Sequence, residues 1–260
     1  MLVCSSPAPR PSRVPASPTE GTRMNTAVQI LDQRTPEERD RAFLPGMGKS
    51  WLLPWYDLFS RFSGVLPLHD RVAALAGIAP GESVLDVGCG TGNLSLAVLR
   101  AQPAARVTGL DPDAAALRVS ARKASRRRVP LTLVQGFADR LPAAEGAFDH
   151  IVSALALHHV PDEGRAGFGR EALRALRPGG TVTIVDFGSS GGTDDGAHGS
   201  GHAGGHSSGH AGAHGGARSL ARSHGDLVRL LADAGFTDAR EVERVEHRFG
   251  PLAFVQATRG

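Results

Sequence analysis

Residues 84–96, VLDVGCGTGNLSL, determine how this 260-residue chain folds. An apolar run reaches Asp86, three glycines follow at alternate positions (Gly88, Gly90 and Gly92), and a segment that can begin a helix comes next. This order is typical of a strand that turns sharply into a helix, whose N-terminal N–H groups and dipole attract negatively charged groups. The turn is therefore a predicted ligand site.

Two phosphate-binding patterns are excluded in this stretch. The dinucleotide fingerprint Gly-x-Gly-x-x-Gly needs a third glycine, and the corresponding positions hold Asn93 and Ser95. The P-loop pattern ends in Gly-Lys-Ser/Thr, and the stretch contains no lysine. The turn therefore favours a ligand other than a dinucleotide or a nucleoside triphosphate.

Strands alternate with helices on both sides of the turn, which predicts βαβ units and a parallel sheet. The predicted strands are 83–88, 105–110, 131–135, 148–153, 181–187, 238–246 and 251–258, and the predicted helices are 66–77, 92–101, 113–125, 164–177 and 225–236. The predicted fold is α/β: a Rossmann-like, seven-stranded, mostly parallel sheet with helices on both faces and an antiparallel last strand. Such a sheet binds ligands outside the carboxyl ends of its strands.

The composition predicts one folded domain with less regular additions. The predicted parts are a Pro/Ser-rich disordered extension at 1–23 (with Met24 as an alternative start), a helical lid segment at 24–65, a core at 66–187, a disordered Gly/His-rich insertion at 188–217, and a helix and hairpin at 218–260 that complete the sheet. The insertion contains no large apolar side chain, so it cannot join a core.

Charge and cysteine usage narrow the class of protein. Only two cysteines occur, Cys4 and Cys89, which predicts a reducing, cytoplasmic location without a disulfide framework. No apolar stretch is long enough to span a membrane. The net charge is only +3, and the basic run at 118–128 fits the C-terminal end of a helix, so no nucleic-acid partner is expected. The chain is expected to be a monomer or a homodimer.

The predicted strand ends carry groups that fit three parts of one ligand. The turn suits a carboxylate, and Asp86 can meet an ammonium, which together describe an amino acid. Asp111 ends the following strand, 19 residues after Gly92, where an acid accepts both hydroxyls of a ribose. The next strand leads into GFADRLP, which offers the Ala138 backbone and Asp139 to an adenine edge. An amino acid, a ribose and an adenine make up S-adenosylmethionine.

Residues 67–187 resemble a class I S-adenosylmethionine-dependent methyltransferase of the small type 11 kind. The resemblance rests on VLDVGCGTG, GLDPD, FADRLP, FDHIVSALALHHVPD and EALRALRPGGTVTIVDF, followed by the tail motif LLADAGF. One position departs from the family, because many relatives have an acid where this chain has Phe137. The predicted cofactor-binding residues are Asp86, Gly88, Cys89, Gly90, Gly92, Asp111, Pro112, Ala138, Asp139, Ser153 and Leu155.

Some of these residues also have a purely structural interpretation. Asp86 could cap the turn, and Asp111 could begin the following helix. Cys89 is interpreted as a small filler in a crowded turn rather than as a nucleophile. Methyl transfer from a sulfonium is an in-line displacement, so a general base is needed only for a weakly nucleophilic acceptor.

The candidate catalytic residues are His158, His159 and Tyr56. The histidine pair follows the fourth strand and could equally begin a helix. Tyr56 lies in the aromatic-rich stretch 43–62, which is either an apolar lid over the acceptor or simple packing against the sheet.

The predicted function is methyl transfer by direct in-line displacement to a small, largely apolar acceptor, either quinone- or phenol-like or a natural product. Three alternatives remain: an RNA or protein methyltransferase, a histidine-rich metal-binding protein, and a cofactor-binding protein without catalysis. Histidines recur at every fourth position, but the glycines between them oppose a helix. We expect this tract to chelate metal only adventitiously and catalysis to need no metal; the histidines are His198, His202, His206, His210 and His214.

Overall fold

A computed structural model of the chain describes residues 28–43, 64–188, 227–248 and 250–260. The predicted N-terminal extension, Tyr56, most of the predicted aromatic lid and the histidine tract lie outside the described residues. In the described part of the chain, no helix is long and apolar enough to cross a membrane.

The described residues form eight strands and six helices. The strands are β1 (Ile30–Asp32), β2 (Ser83–Val87), β3 (Arg106–Asp111), β4 (Thr132–Gln135), β5 (Phe148–Ala154), β6 (Leu176–Phe187), β7 (Thr237–His247) and β8 (Gly250–Thr258). The helices are α1 (Pro36–Arg39), α2 (Val65–Ala76), α3 (Asn93–Ala101), α4 (Ala114–Arg127), α5 (Asp162–Ala175) and α6 (Leu227–Asp233), with a 3-10 turn at Leu157–His159.

All eight strands belong to one sheet in the order β1-β4-β3-β2-β5-β6-β8-β7. The pairs from β1 to β6 are parallel, and β8 is antiparallel to both β6 and β7. The order reverses at β2, where β3 lies on one side and β5 on the other, and ligand crevices form at such a point. The predicted α/β sheet with an antiparallel last strand is confirmed.

The strand count needs a correction, because the predicted sheet has seven strands and the structure has eight. The additional strand is β1, which pairs with β4 through Ile30 opposite Leu133. It lies inside segment 24–65, which was predicted to be helical. Only α1, four residues long, is helical among residues 28–43 of that segment. A three-residue strand with all its residues exposed has no alternating pattern that a sequence could reveal.

Two apolar clusters cover the two faces of the sheet. One joins α2, α3 and α4 to residues such as Val84 and Val152, and the other joins α5 and α6 to residues such as Leu85 and Ile151. Consecutive residues of β2 and β5 therefore enter different clusters, which explains why these strands are apolar without alternation. Each fully buried Leu or Phe stabilises the fold by about 1.5–3 kcal/mol, so the carboxyl ends of the central strands are held firmly.

Candidate functional site

A cavity of about 360 Å³ lies at the carboxyl ends of β2, β3, β4 and β5. Most of the predicted site residues line it: Asp86, Gly88, Cys89, Gly90, Asp111, Pro112, Ala138, Asp139, Leu155 and His159. Three predicted residues, Gly92, Ser153 and His158, are absent from its lining. The carboxyl ends of these strands thus bring together ten of the predicted site residues.

The three glycines of the turn have different tasks. Gly88 has φ +73°, and a Cβ there would overlap the Ala156 side chain. Gly92 has φ +81°, and a Cβ there would overlap Ser120 of α4, so this glycine serves helix packing. Gly90 has φ +50° and no atom within 4 Å of where a Cβ would lie, which makes it the glycine with room for a ligand beside it.

Asp86 is the acid at the end of β2, and its side chain is fully buried. Ser95 donates a hydrogen bond to Asp86 Oδ2 over 2.6 Å, while Oδ1 has no partner among the described residues. Burial, with a smaller contribution from the charge of Asp111, raises the pKa of this carboxyl to about 7, although the Ser95 hydrogen bond opposes the shift. Unpartnered buried carboxylate oxygens are costly, and a ligand ammonium would satisfy this one.

Asp111 at the end of β3 braces the turn. Gly90 N–H donates to Asp111 Oδ2 over 2.8 Å, and Asp113 N–H donates to Oδ1 over 2.8 Å. Burial raises the pKa of Asp111 to about 6. Each carboxylate oxygen can accept a second hydrogen bond, so the side chain remains able to receive both hydroxyls of a diol.

The loop after β4 carries Ala138 and Asp139 into the cavity wall, and residues 28–43 lie against it. We call residues 28–43 the strap. Arg41 Nη1 donates to both oxygens of Asp139, over 2.9 and 2.7 Å, and its guanidinium lies 4.5 Å from the centre of the Phe137 ring. The Asp139 carboxylate therefore faces the strap as well as the cavity.

A second contact ties the strap to the same loop. Arg140 donates to Glu38 over 2.6 Å and to the Gln33 carbonyl over 2.5 Å. Beyond this contact, Ala42 and Phe43 line the cavity. The strap thus completes the wall next to the predicted adenine loop.

The exit from β5 holds two predicted site residues, of which one lies away from the cavity and the other lines it. Ser153 is fully buried and donates to the Val87 carbonyl over 2.8 Å, so it stabilises the pairing of β5 with β2 and does not reach the cavity. Leu155 does line the cavity and has φ +52°, a left-handed conformation that is strained for a residue with a side chain. Such outliers occur often at functional sites.

The two histidines after β5 separate into different roles. His158 does not line the cavity, because its Nδ1 lies 2.7 Å from Asp186 and its ring meets the edge of Phe187. Asp186 also accepts the Leu157 and His158 backbone N–H groups, which holds the 3-10 turn in place. His159 lines the cavity with its ring centroid 3.9 Å from that of His158. Burial, and then the nearby His158, lower the pKa of His159 to about 4.

Several residues that line the cavity were not predicted from the sequence. His69 of α2 lines the cavity with Asn93 and Leu94 at the start of α3. His69 could have been noticed, because it occupies an apolar face of α2 between the buried residues Val65 and Val72. Arg41 and Ala42 of the strap carried no comparable signal, whereas Phe43 begins the aromatic-rich stretch 43–62 for which a lid over the acceptor was one of two interpretations.

Among the described residues, the site has neither a cysteine primed as a thiolate nor a group of metal ligands. Burial raises the pKa of the Cys89 thiol well above its usual value, which disfavours a reactive thiolate. Within the described ranges, no three His, Cys, Asp or Glu residues are grouped so that they could hold a metal ion. The histidine tract lies outside those ranges.

Comparisons with known proteins agree with this geometry. Residues 84–180 match a family model described as a methyltransferase domain. The chain is 33% identical over 141 residues to demethylmenaquinone methyltransferase of Thermus thermophilus, which covers 53% of this chain and 63% of the relative. It is 32% identical over 157 residues to an uncharacterised protein of Mycobacterium tuberculosis, covering 60% of this chain and 56% of the relative. The chain thus spans little more than half the length of this mycobacterial relative.

The fold also has counterparts among solved structures. Phosphoethanolamine N-methyltransferase 2 of Haemonchus contortus, solved with S-adenosyl-L-methionine, superposes with a TM-score of 0.63 at 15% identity. The match covers 83% of this chain and 58% of that chain. At this identity the likeness concerns the fold.

Proposed function

We propose that this chain, which belongs to the class I S-adenosylmethionine-dependent methyltransferases of the type 11 kind, transfers a methyl group to a small, largely apolar acceptor. The observation that carries the proposal is the convergence of Asp86, the glycine turn and Asp111 on one cavity. These groups match an ammonium, a carboxylate and a ribose diol in the order in which the cofactor presents them.

When bound, the cofactor supplies a methyl group on a sulfonium, which is already activated for displacement. The chain's own residues therefore have to bind, align and exclude water. Asp86 and the turn hold the amino-acid end, Asp111 holds the ribose, and the loop with Ala138 lies against the base. We propose these roles because the fully buried Asp86 has an oxygen without a partner and Gly90 has open space beside it.

His159 is the histidine that we propose to act on the acceptor. With its pKa lowered to about 4, the ring is neutral near neutral pH and can accept a hydrogen bond from an acceptor O–H or N–H. Such a weak base orients the acceptor and receives its proton as the new bond to carbon forms. Asp186 acts indirectly, because it holds the turn on which His159 lies.

Apolar side chains favour an apolar acceptor. The cavity lining includes Phe43 on the strap and, in the same chain segment as His159, Leu155, Leu157 and Val160. The similarity to a demethylmenaquinone methyltransferase supports a ring-shaped, quinol-like acceptor. Arg126 and Arg127, which close the basic run that could suggest RNA, lie in the last turn of α4, about 18–20 Å along the helix from its start at the cavity, given a rise of 1.5 Å per residue.

A methyl-transfer screen tests the proposal. Full-length protein is incubated with S-adenosylmethionine carrying a tritiated methyl group and with panels of quinols, phenols and structured RNA, in the presence of a chelator. We expect label in at least one apolar quinol or phenol, and none with His159→Ala at equal cofactor affinity. Label in RNA alone, or transfer that requires added metal, would contradict the proposed acceptor class or the metal-independent mechanism.

A further inference from the structure

Arg41 is the one arginine or lysine that lines the cavity within the described residues, and only part of its guanidinium is engaged. Its Nη1 donates to both oxygens of Asp139, over 2.9 and 2.7 Å. Its Nη2 and Nε have no hydrogen-bond partner in the described part of the chain. A guanidinium carries five N–H donors in one plane, so Arg41 keeps donors that a ligand in the cavity can use.

The neighbours of Arg41 set the orientation of these donors. The guanidinium lies 4.5 Å from the centre of the Phe137 ring, which is buried. Asp139 is itself held against α5, because a Cβ on Gly167 would lie only 2.7 Å from the Asp139 Cβ. A side chain that is already oriented loses less conformational freedom when it binds a ligand. Arg41 therefore differs from an ordinary surface arginine, although its side chain is 37% exposed.

A close approach at the start of α5 shows which part of the cavity wall Nη2 adjoins. A Cβ on Gly164 would lie 3.8 Å from Arg41 Nη2 and 2.8 Å from Val160 Cγ1. Nη2 thus lies beside the segment that carries His159, whereas Nη1 is bound to the loop after β4. In the proposed site this segment belongs to the acceptor, and the loop belongs to the cofactor base. The donors of Arg41 that remain are therefore placed for the acceptor.

Phe43, two residues further along the strap, adds an apolar surface to the same wall. Three large apolar side chains are exposed in the described part of the chain, and of these only Phe43 lines the cavity; the other two are Ile30 and Leu31. An aromatic ring that is 38% exposed in a cavity wall is stabilised when an apolar ligand covers it. Arg41 and Phe43 together suit an acceptor that has an apolar ring and an oxygen able to accept a hydrogen bond.

The charge of the cavity wall favours an uncharged oxygen as the partner of Arg41. Asp139 already balances the charge of the guanidinium. Because Nη1 and Nη2 belong to the same guanidinium, a carboxylate bound at Nη2 would lie beside the Asp139 carboxylate, and like charges repel each other. A carbonyl or hydroxyl oxygen accepts the same hydrogen bond without this cost.

We propose that the strap selects the acceptor: Arg41 donates from Nη2 to a neutral carbonyl or hydroxyl oxygen of the acceptor, and Phe43 contacts its apolar ring. This oxygen is distinct from the O–H or N–H that faces His159, so the acceptor has polar groups at two separate positions. The proposal rests on the proposed function. It assigns the choice of acceptor to residues 28–43, outside the residues 84–180 that match the methyltransferase family.

Two probes separate the remote oxygen from the rest of the acceptor. The bicyclic phenols 7-hydroxy-1-tetralone and 5,6,7,8-tetrahydro-2-naphthol differ by one ketone oxygen. Their affinities are measured by calorimetry for full-length protein saturated with S-adenosylhomocysteine, so that no methyl transfer occurs. The variants are Arg41→Met and Phe43→Ala. Arg140→Met is the matched control, because it removes the other arginine–carboxylate pair between the strap and the loop, and Arg140 lies outside the cavity lining.

We expect wild type to bind the ketone about tenfold more tightly than the naphthol, as for one hydrogen bond from a charged donor. Arg41→Met should remove this preference and leave the affinities for the naphthol and for S-adenosylhomocysteine within about threefold of wild type, since the lost ion pair is partly exposed. Phe43→Ala should weaken both phenols alike, and Arg140→Met should keep the preference for the ketone.

Wild type that binds both phenols equally, or neither, would overturn the proposal. A preference that survives in Arg41→Met, or that Arg140→Met loses to the same extent, would also overturn it. The charged probe 6-hydroxy-2-naphthoate should bind more weakly than the ketone, and tighter binding would contradict a neutral oxygen. Folded wild type that does not bind S-adenosylhomocysteine would refute the cofactor assignment, and the proposal with it.

The acceptor found in the methyl-transfer screen gives a second readout. Arg41→Met should lower kcat/KM for that acceptor by about tenfold, and an analogue without the remote oxygen should react equally with wild type and Arg41→Met. An equal loss for the acceptor and the analogue would show that Arg41 supports the structure of the site instead of binding the oxygen. Methylation of RNA alone in the screen would refute the proposed acceptor class, independently of how the two phenols bind.

Discussion

The two walls of the cavity are built in different ways. The turn wall, residues 86–94 with Asp111, is held by backbone hydrogen bonds between adjacent strands, such as Gly88 N–H to the Leu110 carbonyl at 2.8 Å. The strap wall consists of residues 28–43 against β4 and the loop after it. Backbone pairing joins β1 to β4, whereas residues 38–41 are held by two arginine–carboxylate pairs, Arg140 with Glu38 and Arg41 with Asp139, whose arginines are partly exposed. Exposed pairs contribute only about 0–1 kcal/mol each, whereas buried and sterically crowded positions contribute several times more. We therefore expect a rigid turn wall and an adjustable strap wall.

The largest effect should come from Gly92 in the turn wall. Gly92→Ala places a Cβ against Ser120 at a left-handed backbone position, and we expect the free energy of unfolding to fall by about 2–4 kcal/mol. Gly90→Ala is the matched control, because it has a left-handed backbone without the overlap. Urea unfolding should show a clearly larger loss for Gly92→Ala. Equal losses would mean that packing between the turn and α4 is looser than described.

Asp111 should have the next largest effect, on affinity. Asp111→Ala removes the proposed diol contact and the brace on Gly90, and we expect cofactor binding to weaken by about 1.5–3 kcal/mol. Asp113→Ala is the control, because Asp113 caps α4 through the Ala115 and Ala116 N–H groups and should affect stability more than affinity. Calorimetry with S-adenosylhomocysteine measures both. If Asp113→Ala costs as much affinity as Asp111→Ala, the ribose assignment is wrong.

Asp86 should make cofactor binding depend on pH. Its pKa is raised from 3.8 to about 7, so the empty site holds a neutral carboxyl below that value and an ionised one above it. An ammonium prefers the ionised form, so affinity should rise by roughly tenfold between about pH 5.5 and 7.5. His69 and His159, with pKa values of about 4, stay neutral in this window.

The matched variant is Asp86→Asn, which should bind weakly and lose most of this pH dependence. Any dependence that remains is assigned to Asp111, whose pKa is raised to about 6. An affinity of the wild type that falls with rising pH would contradict the placement of the ammonium at Asp86.

The smallest effect should come from the strap wall. Arg41→Met breaks the pair with Asp139, and we expect the free energy of unfolding to fall by less than about 1 kcal/mol and cofactor affinity to change by less than about threefold. Arg140→Met is a useful comparison, because its partner Glu38 is more buried than Asp139. A loss as large as that of Gly92→Ala would mean that the strap is as rigid as the turn.

The difference between the turn wall and the strap wall also explains which features could be predicted from the sequence. The order of strands and helices, the glycine turn, Asp86 and Asp111 are predictable because each depends on residues close together in the chain. The contact between Arg41 and Asp139 joins residues 98 positions apart, and β1 has no pattern of its own, so neither could be foreseen. Ser153 shows a third limit: a residue near a strand end points either into the sheet or into the crevice, and its type alone does not decide which.

Cofactor binding by the described cavity is the property on which every proposed role of its residues depends. The measurement is a calorimetric titration of the full chain with S-adenosylhomocysteine, after cooperative unfolding has shown that the protein is folded. We predict saturable binding of one molecule per chain, lost or strongly weakened in Asp111→Ala. Folded wild type that binds neither S-adenosylhomocysteine nor S-adenosylmethionine would contradict the account.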